Sequence, residues 1–288
     1  MKNKTAISLV IISIFMISMV IPFATSGTNV RGYTGDLVAS TETTVDGVVT
    51  AAIGDGIVNR YAIIVGISDY KAISDLSYAD DDAVDWFNHL DSVGYTCKVL
   101  GDHTNSYPQF DGYATEYNVK QAIYNYLAIA DADDIVVFAT SGHGGSTKGR
   151  VRNAYLCMWD CSAGENGEDG YFRDTELQVV FQDAVCQWFL FIDHCYAGGM
   201  NEVMSNANSV NGYLAATCTD RGYGYDYPPA QNGAWTYFFL EYAWIQYFGG
   251  GLNVPMEDIF DYAVANYPYD NKDLPQEFDG NLAAYFYL

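Results

Sequence analysis

A histidine and a cysteine fifty-two positions apart carry the chemistry this chain could do, within Ser141-Gly142-His143 and Asp193-His194-Cys195. Imidazole titrates near neutrality and a thiolate is a strong nucleophile. Together they can run acyl transfer, with sulfur attacking a carbonyl and the ring protonating the departing amine. Each follows a short apolar run: Ile135-Val136-Val137-Phe138-Ala139 before the histidine, Trp188-Phe189-Leu190-Phe191-Ile192 before the cysteine. Such runs, bounded by Gly and turn residues, read as buried parallel strands. Open α/β sheets place their ligand crevice at the carboxyl ends of those strands. The competing reading is a turn histidine and a buried thiol, both inert. His194 is expected to be structural, because adjacent residues of extended chain point to opposite faces. Gly144–Gly149 is no phosphate loop, since Gly-Lys-Ser/Thr is absent.

The elements that must position this pair alternate. Arg60–Ile67 reads as a buried strand, residues 78–92 as a helix with Ala83, Val84, Phe87 and Leu90 on one face, and Thr96–Leu100 as a strand. A helix is expected over Asn118–Ala130, poorly capped by Glu116 or Tyr117. After the histidine strand come a polar loop through Arg152, a strand at Ala154–Trp159 and a helix at Thr175–Ala184. The cysteine strand is followed by a strand at Tyr213–Cys218 and helices at Gly233–Tyr247 and Met256–Tyr267, with Pro255 at the first turn. This alternation predicts an α/β fold with a mainly parallel sheet. The Gly233–Tyr247 helix is apolar almost all round, so it is buried or forms an interface.

Half of the 288 residues are hydrophobic, enough for one large core or two small ones. Lys2 and Lys4 precede an apolar stretch from Ala6 to Ala24, and Ala24-Thr25-Ser26 offers small residues for cleavage. Residues 1–26 are expected to be a signal peptide, with an uncleaved membrane anchor as the alternative. Either sends the domain outside. Residues 27–59 read as a linker or propeptide, and 60–288 as the folded domain. The net charge of −23 becomes −25 once two lysines leave with the leader. That excludes a basic nucleic-acid face and suits an exported protein that attracts cationic substrates or calcium. Six cysteines are present. Cys157 and Cys161 could pair, or one of them with Cys186; buried free thiols are the equal alternative.

With these pieces in place the chain resembles the caspase-fold cysteine peptidases, nearest in spelling to metacaspases and their prokaryotic relatives, more distantly to legumain and clostripain. The resemblance runs from Arg60 to about Gly280. Its carriers are the Arg60–Ile67 strand, Leu76–Val84, Ser141-Gly142-His143-Gly144-Gly145, Asp193–Gly199, Ala216–Asp220, Gly233–Thr236, Pro275-Gln276 and Asp279-Gly280. The separation of histidine and cysteine is that of the family. The caspase pentapeptide around the cysteine is absent. The resemblance implies a caspase-like three-layer sandwich, with Cys195 as nucleophile and His143 as its acid–base partner. It implies an oxyanion hole from the N–H groups of Gly144 and Cys195. The chemistry needs no cofactor.

The family's helix-start aspartate falls on Asp82, and the crowding of Asp80 and Asp81 leaves that register open by one. Ser141 and Asp193 each lie two residues before a dyad member, so in extended chain they share its face. Two carboxylates beside the dyad would bind Lys or Arg. The expected function is thus an exported endopeptidase acting on protein or peptide substrates after basic residues. The alternatives are a legumain-like preference for Asn or Asp, since Ile192–Met200 is similar to that group's cysteine segment, and a silent caspase-fold binding module. Calcium-dependent metacaspases imply a calcium site at Glu202 and near Asp160, against a solvated acidic loop. Membrane contact is expected only with an uncleaved leader. The loop Gly198–Gly212, where many relatives are cut, holds no Lys or Arg but has Asn201, Asn206, Asn208 and Asn211. Basic trimming sites would be Arg31, Arg60, Lys148, Arg150 or Arg152.

Overall fold

The computed structural model describes residues 53–288, apart from residues 104, 150 and 151. The leader and most of the linker therefore lie outside the described residues. Six strands make the central sheet, in spatial order β11-β8-β7-β3-β1-β2. They are β1 (Arg60–Gly66), β2 (Thr96–Leu100), β3 (Ile135–Ser141), β7 (Gln187–Asp193), β8 (Gly212–Ala216) and β11 (Gln276–Asp279). All pairings are parallel except β11 with β8. This is the mainly parallel α/β sheet that the apolar runs predict.

Alternation along the strands builds two cores. Ile63, Val65, Val136, Phe138, Leu190 and Ile192 face one layer. Ala62, Ile64, Val137, Ala139, Phe189 and Phe191 face the other. Neighbouring residues of a strand point to opposite faces, so one strand feeds both cores. The first layer holds α2 (Glu116–Leu127), α3 (Asp174–Phe181) and a small antiparallel sheet of β4 (Gly144–Ser146), β5 (Ala154–Cys157) and β6 (Tyr171–Arg173). The second holds α1 (Ala79–Ser92), α4 (Ala234–Thr236, continued by Tyr237–Tyr247) and α5 (Met256–Asn266). The result is the expected three-layer sandwich.

Several local readings change. The cap of α2 is Thr115, whose hydroxyl accepts from the Asn118 N–H at 3.2 Å, so the helix begins at Glu116. The α4 helix has one α turn, Ala234–Thr236, and is then π-wound over Tyr237–Tyr247. The wider winding suits a helix whose Trp235, Phe239 and Trp244 are all fully buried. Pro255 caps α5 rather than occupying its first turn. The last part of the linker is docked: Asp131, Asp133 and Asp134 accept the N–H groups of Asp55, Gly56 and Asn59. All six cysteines are free thiols, so neither pairing of Cys157, Cys161 and Cys186 is present. The loop after the cysteine is helical, with 3-10 turns at Ala197–Ser205 and Ser209–Asn211. Its asparagines are staples: Asn206 donates to the Gln178 carbonyl and Asn208 to those of Phe181 and Ala184. A short hairpin, β9 (Asp226–Tyr227) with β10 (Asn232–Gly233), leads into α4.

Candidate active site

The β3–β7 register sets Ser141 opposite Asp193 at the carboxyl edge of the sheet. His143 and Cys195 follow two residues later, and both line one cleft of about 230 Å3 with Gly142, Asp193, Gly224 and Asp226. The two strand-end tripeptides therefore meet as their positions predict. The histidine is held by the loop after β1. The Tyr70 hydroxyl accepts the His143 N–H at 2.6 Å, and the two rings pack with centroids 5.0 Å apart. His143 Nε2 lies 2.9 Å from the Ser74 carbonyl. A carbonyl can only accept, so Nε2 carries the proton and Nδ1 is the nitrogen left for chemistry. Asp102, at the end of β2, pins this loop by accepting from the N–H groups of Ser68 and Asp69.

His194 is buried and turned away from the cleft. Its Nδ1 faces the His143 carbonyl at 2.8 Å and its Nε2 the Thr140 hydroxyl at 2.9 Å. Burial lowers its pKa to about 4, so it stays neutral, donating from Nδ1 and accepting at Nε2. It is structural, as the alternation of extended chain predicts, and it fixes the backbone of His143.

Cys195 is half-buried, with Sγ 3.8 Å from the Gly224 carbonyl. Burial raises its thiol pKa, which disfavours the thiolate in the resting site. The chain turns sharply after it. Tyr196 has φ 63° and ψ 18°, a left-handed conformation that a bulky residue rarely adopts. The Cys195 N–H has no acceptor among the described residues. Gly144 matches it from the other side. Because Cys157 N–H donates to the His143 carbonyl, the next pair, Gly144 with Leu156, is a non-hydrogen-bonded position. The Gly144 N–H therefore points away from β5. A Cβ at Gly144 would overlap the Cys195 carbonyl oxygen, so only glycine lets the two backbones approach this closely. Two free N–H groups beside a thiol are what an oxyanion requires.

Below the cleft lie two fully buried carboxylates. Asp82 accepts from the Ser141 hydroxyl at 2.6 Å and the Gly233 N–H at 2.8 Å. Asp193 accepts from the Thr236 N–H at 2.9 Å and hydroxyl at 3.1 Å. A Cβ on Gly233 would strike both, so the glycine opens the space between them. Desolvation pushes Asp193 up to about 6 and Asp82 well above the usual carboxylate range, the latter further raised by the charge of Asp193. Among the described residues no cation pairs with either. The register ambiguity ends here: Asp80 bonds Ser68, and Asp82 alone of the three reaches Ser141. Asp226 on the cleft wall adds a third carboxylate.

The calcium residues stand apart. Asp160 is buried against the start of α2, where one oxygen accepts the Glu116 N–H at 3.0 Å. Glu202 lies in the 3-10 turn after the cysteine, where burial and then the charge of Asp174 raise its pKa. Each keeps one buried oxygen without a partner. The carboxylate groups close enough to share an ion among the described residues are Asp55, Asp131 and Asp133, and Glu116, Glu168 and Glu176. Neither of these three-membered groups includes Asp160 or Glu202.

Ser74, Tyr70 and Asp102 escaped the sequence reading. Ser74 acts through a carbonyl that every residue has. Asp102 alone carried a signal, as an acid just past the carboxyl end of a strand.

The family model of the caspase domain matches residues 59–262. The chain belongs to that family, which points to a cysteine peptidase. No protein with a curated description matches it. Among solved structures, a Geobacter sulfurreducens protein is 17% identical, with a TM-score of 0.57 over 76% of this chain and 92% of that one. That likeness extends to the fold.

Proposed function

We propose that this caspase-domain protein is an exported cysteine endopeptidase that cleaves after Arg or Lys with a Cys195–His143 dyad. The observation that carries the specificity is the pair of buried carboxylates, Asp82 and Asp193, with no cation of the protein facing them. A buried charge without a partner is costly, and a substrate guanidinium or ammonium would supply the missing partner. Asp226 on the same wall adds attraction of the same sign.

With the basic side chain in that pocket, the following carbonyl carbon reaches Sγ. His143 Nδ1 takes the thiol proton as sulfur attacks, and the Gly144 and Cys195 N–H groups receive the oxyanion. The ring then passes the proton to the departing amine, leaving a thioester at Cys195. Water, deprotonated by the same nitrogen, hydrolyses the thioester and restores the thiol. The Ser74 carbonyl keeps the ring oriented as its charge comes and goes. Export rests on the leader sequence. The stapled segment 197–211, which lacks Lys and Arg, supports activity as an uncut chain.

Labelling with a peptidyl-arginyl acyloxymethyl ketone tests the reading. The reagent should modify Cys195 in the wild type and nothing in Cys195→Ala or His143→Ala. Labelling by an asparaginyl reagent instead would move the specificity to the legumain-like alternative. Labelling by neither would leave a silent binding module.

A further inference from the structure

A second cleft, about 490 Å3, lies beside the first and has the opposite charge. Lys148, Arg152, Arg221 and Lys272 line it, together with Tyr196 and Tyr223, in a chain of 13 basic and 36 acidic residues. So local a reversal of charge marks a surface kept for anions. Its countercharges are few. Arg221 has Asp220 at 3.7 Å and Lys272 has Asp273 at 3.3 Å, whereas Lys148 and Arg152 have no ion pair among the described residues. Asp273 is also engaged by the Tyr223 N–H at 2.7 Å and the Tyr225 hydroxyl at 3.0 Å. Lys272 sits over the Tyr223 ring, 3.6 Å from its centroid, and that ring packs edge-on against Tyr196.

Three chain segments fix where this cleft stands relative to the dyad. Each gives one end to the carboxylate pocket and the other to the basic one: 141–143 against 146–149, 193–195 against Tyr196, and 224–226 against Tyr223 with Arg221. Gly144 and Cys195, the two oxyanion donors, lie at the junction. A peptide whose basic side chain fills the carboxylate pocket has its scissile carbonyl at Sγ. The residues after the bond must then continue past Cys195, onto the basic cleft.

Resting on the proposed peptidase activity, we infer that the cleft of Lys148, Arg152, Arg221 and Lys272 is a subsite for acidic side chains just after the cleaved bond. The preferred substrate is a dipolar sequence, Arg or Lys followed within two residues by Glu or Asp. The site is open, so the preference is modest and salt-sensitive. A single partly exposed ion pair is worth up to about fivefold at low ionic strength.

The test uses internally quenched peptides with Arg before the bond and Glu, Gln or Lys at either of the two following positions. For the wild type, kcat/KM should be up to about fivefold higher with Glu than with Gln, lower still with Lys, and the ratio should shrink between about 0.05 M and about 0.5 M salt. In Lys148→Gln/Arg152→Gln the Glu-to-Gln ratio should fall toward one, as it should in Arg221→Gln/Lys272→Gln. Cleavage with no preference for Glu, or a preference that survives both double variants, overturns the subsite while leaving the peptidase reading intact. A second arm needs no turnover: in Cys195→Ala, fluorescence anisotropy should give tighter binding of the Glu than of the Gln peptide, lost in the same double variants. Equal binding overturns the subsite even for a protein that cleaves nothing.

Discussion

Two acidic clusters in this molecule obey the same electrostatics and end differently. Around Lys120, Glu116, Glu168 and Glu176 converge at 2.5, 2.9 and 2.9 Å, tying α2 to α3 and the loop before it. The cation comes from the chain itself, and the cluster is a clamp. Under the dyad, Asp82 and Asp193 are both buried, desolvation raises the proton affinity of each, the charge of Asp193 raises that of Asp82 further, and they have only hydroxyl and N–H partners. Desolvated carboxylates are tolerated when something repays them. In the first cluster that repayment is folded stability, and in the second it is left for a ligand. An unpartnered buried charge in a cleft thus locates a site better than the number of acids does.

The largest effect should come from breaking the clamp. Lys120→Met strands a buried glutamate and should cost about 3 kcal/mol in chemical denaturation, at the lower end for a buried pair because two partners are half-exposed. A loss under about 1 kcal/mol would make the cluster a surface ornament of the kind worth little.

Asp193→Asn sharpens the contrast, because it should separate function from stability. It removes a desolvated charge, so the melting temperature should hold or rise, while kcat/KM on arginyl substrates falls about a hundredfold. Loss of both together would put Asp193 in the same class as Lys120.

The pH dependence follows from the same group. Asp193 titrates near 6 in the folded protein, above the ordinary carboxylate range. Its proton is therefore bound more tightly when folded, and the stability it contributes at low pH is lost as pH rises through about 6. The melting advantage of Asp193→Asn should accordingly grow between about pH 5 and about pH 7. Binding of a basic substrate needs the ionised form, so kcat/KM for arginyl peptides should fall about tenfold per unit below about pH 6. A flat profile down to about pH 4.5 would mean that the pair stays charged without a partner.

The sequence made the frame legible wherever a physical pattern repeats along the chain. Strands β3 and β7 are unbroken apolar runs, so their ends, and with them His143 and Cys195, could be set side by side. Asp193 and Ser141 followed from the two-residue period, and Asp82 came from the family resemblance. Other features carry no such period. The 3-10 turn after Cys195 contains two glycines and reads as loop, yet asparagine staples order it. The α4 pattern is helical in either winding, so nothing in it marks the change to π turns at Tyr237. Thr115 lay one residue before the expected caps. The ring of His143 rests on a carbonyl, which has no letter in the sequence. Asp160 and Glu202 are singled out by the family resemblance, and their neighbours, the Glu116 N–H for one and Asp174 for the other, have no pattern along the chain.

The most direct test of the central claim compares one arginyl substrate with its citrulline counterpart, which keeps the shape and loses the charge. If the buried pair awaits a cation, wild-type kcat/KM should favour arginine by about a thousandfold, and Asp193→Asn should reduce that ratio by at least about tenfold. A wild-type ratio near one, or a ratio unmoved by Asp193→Asn, would contradict the account.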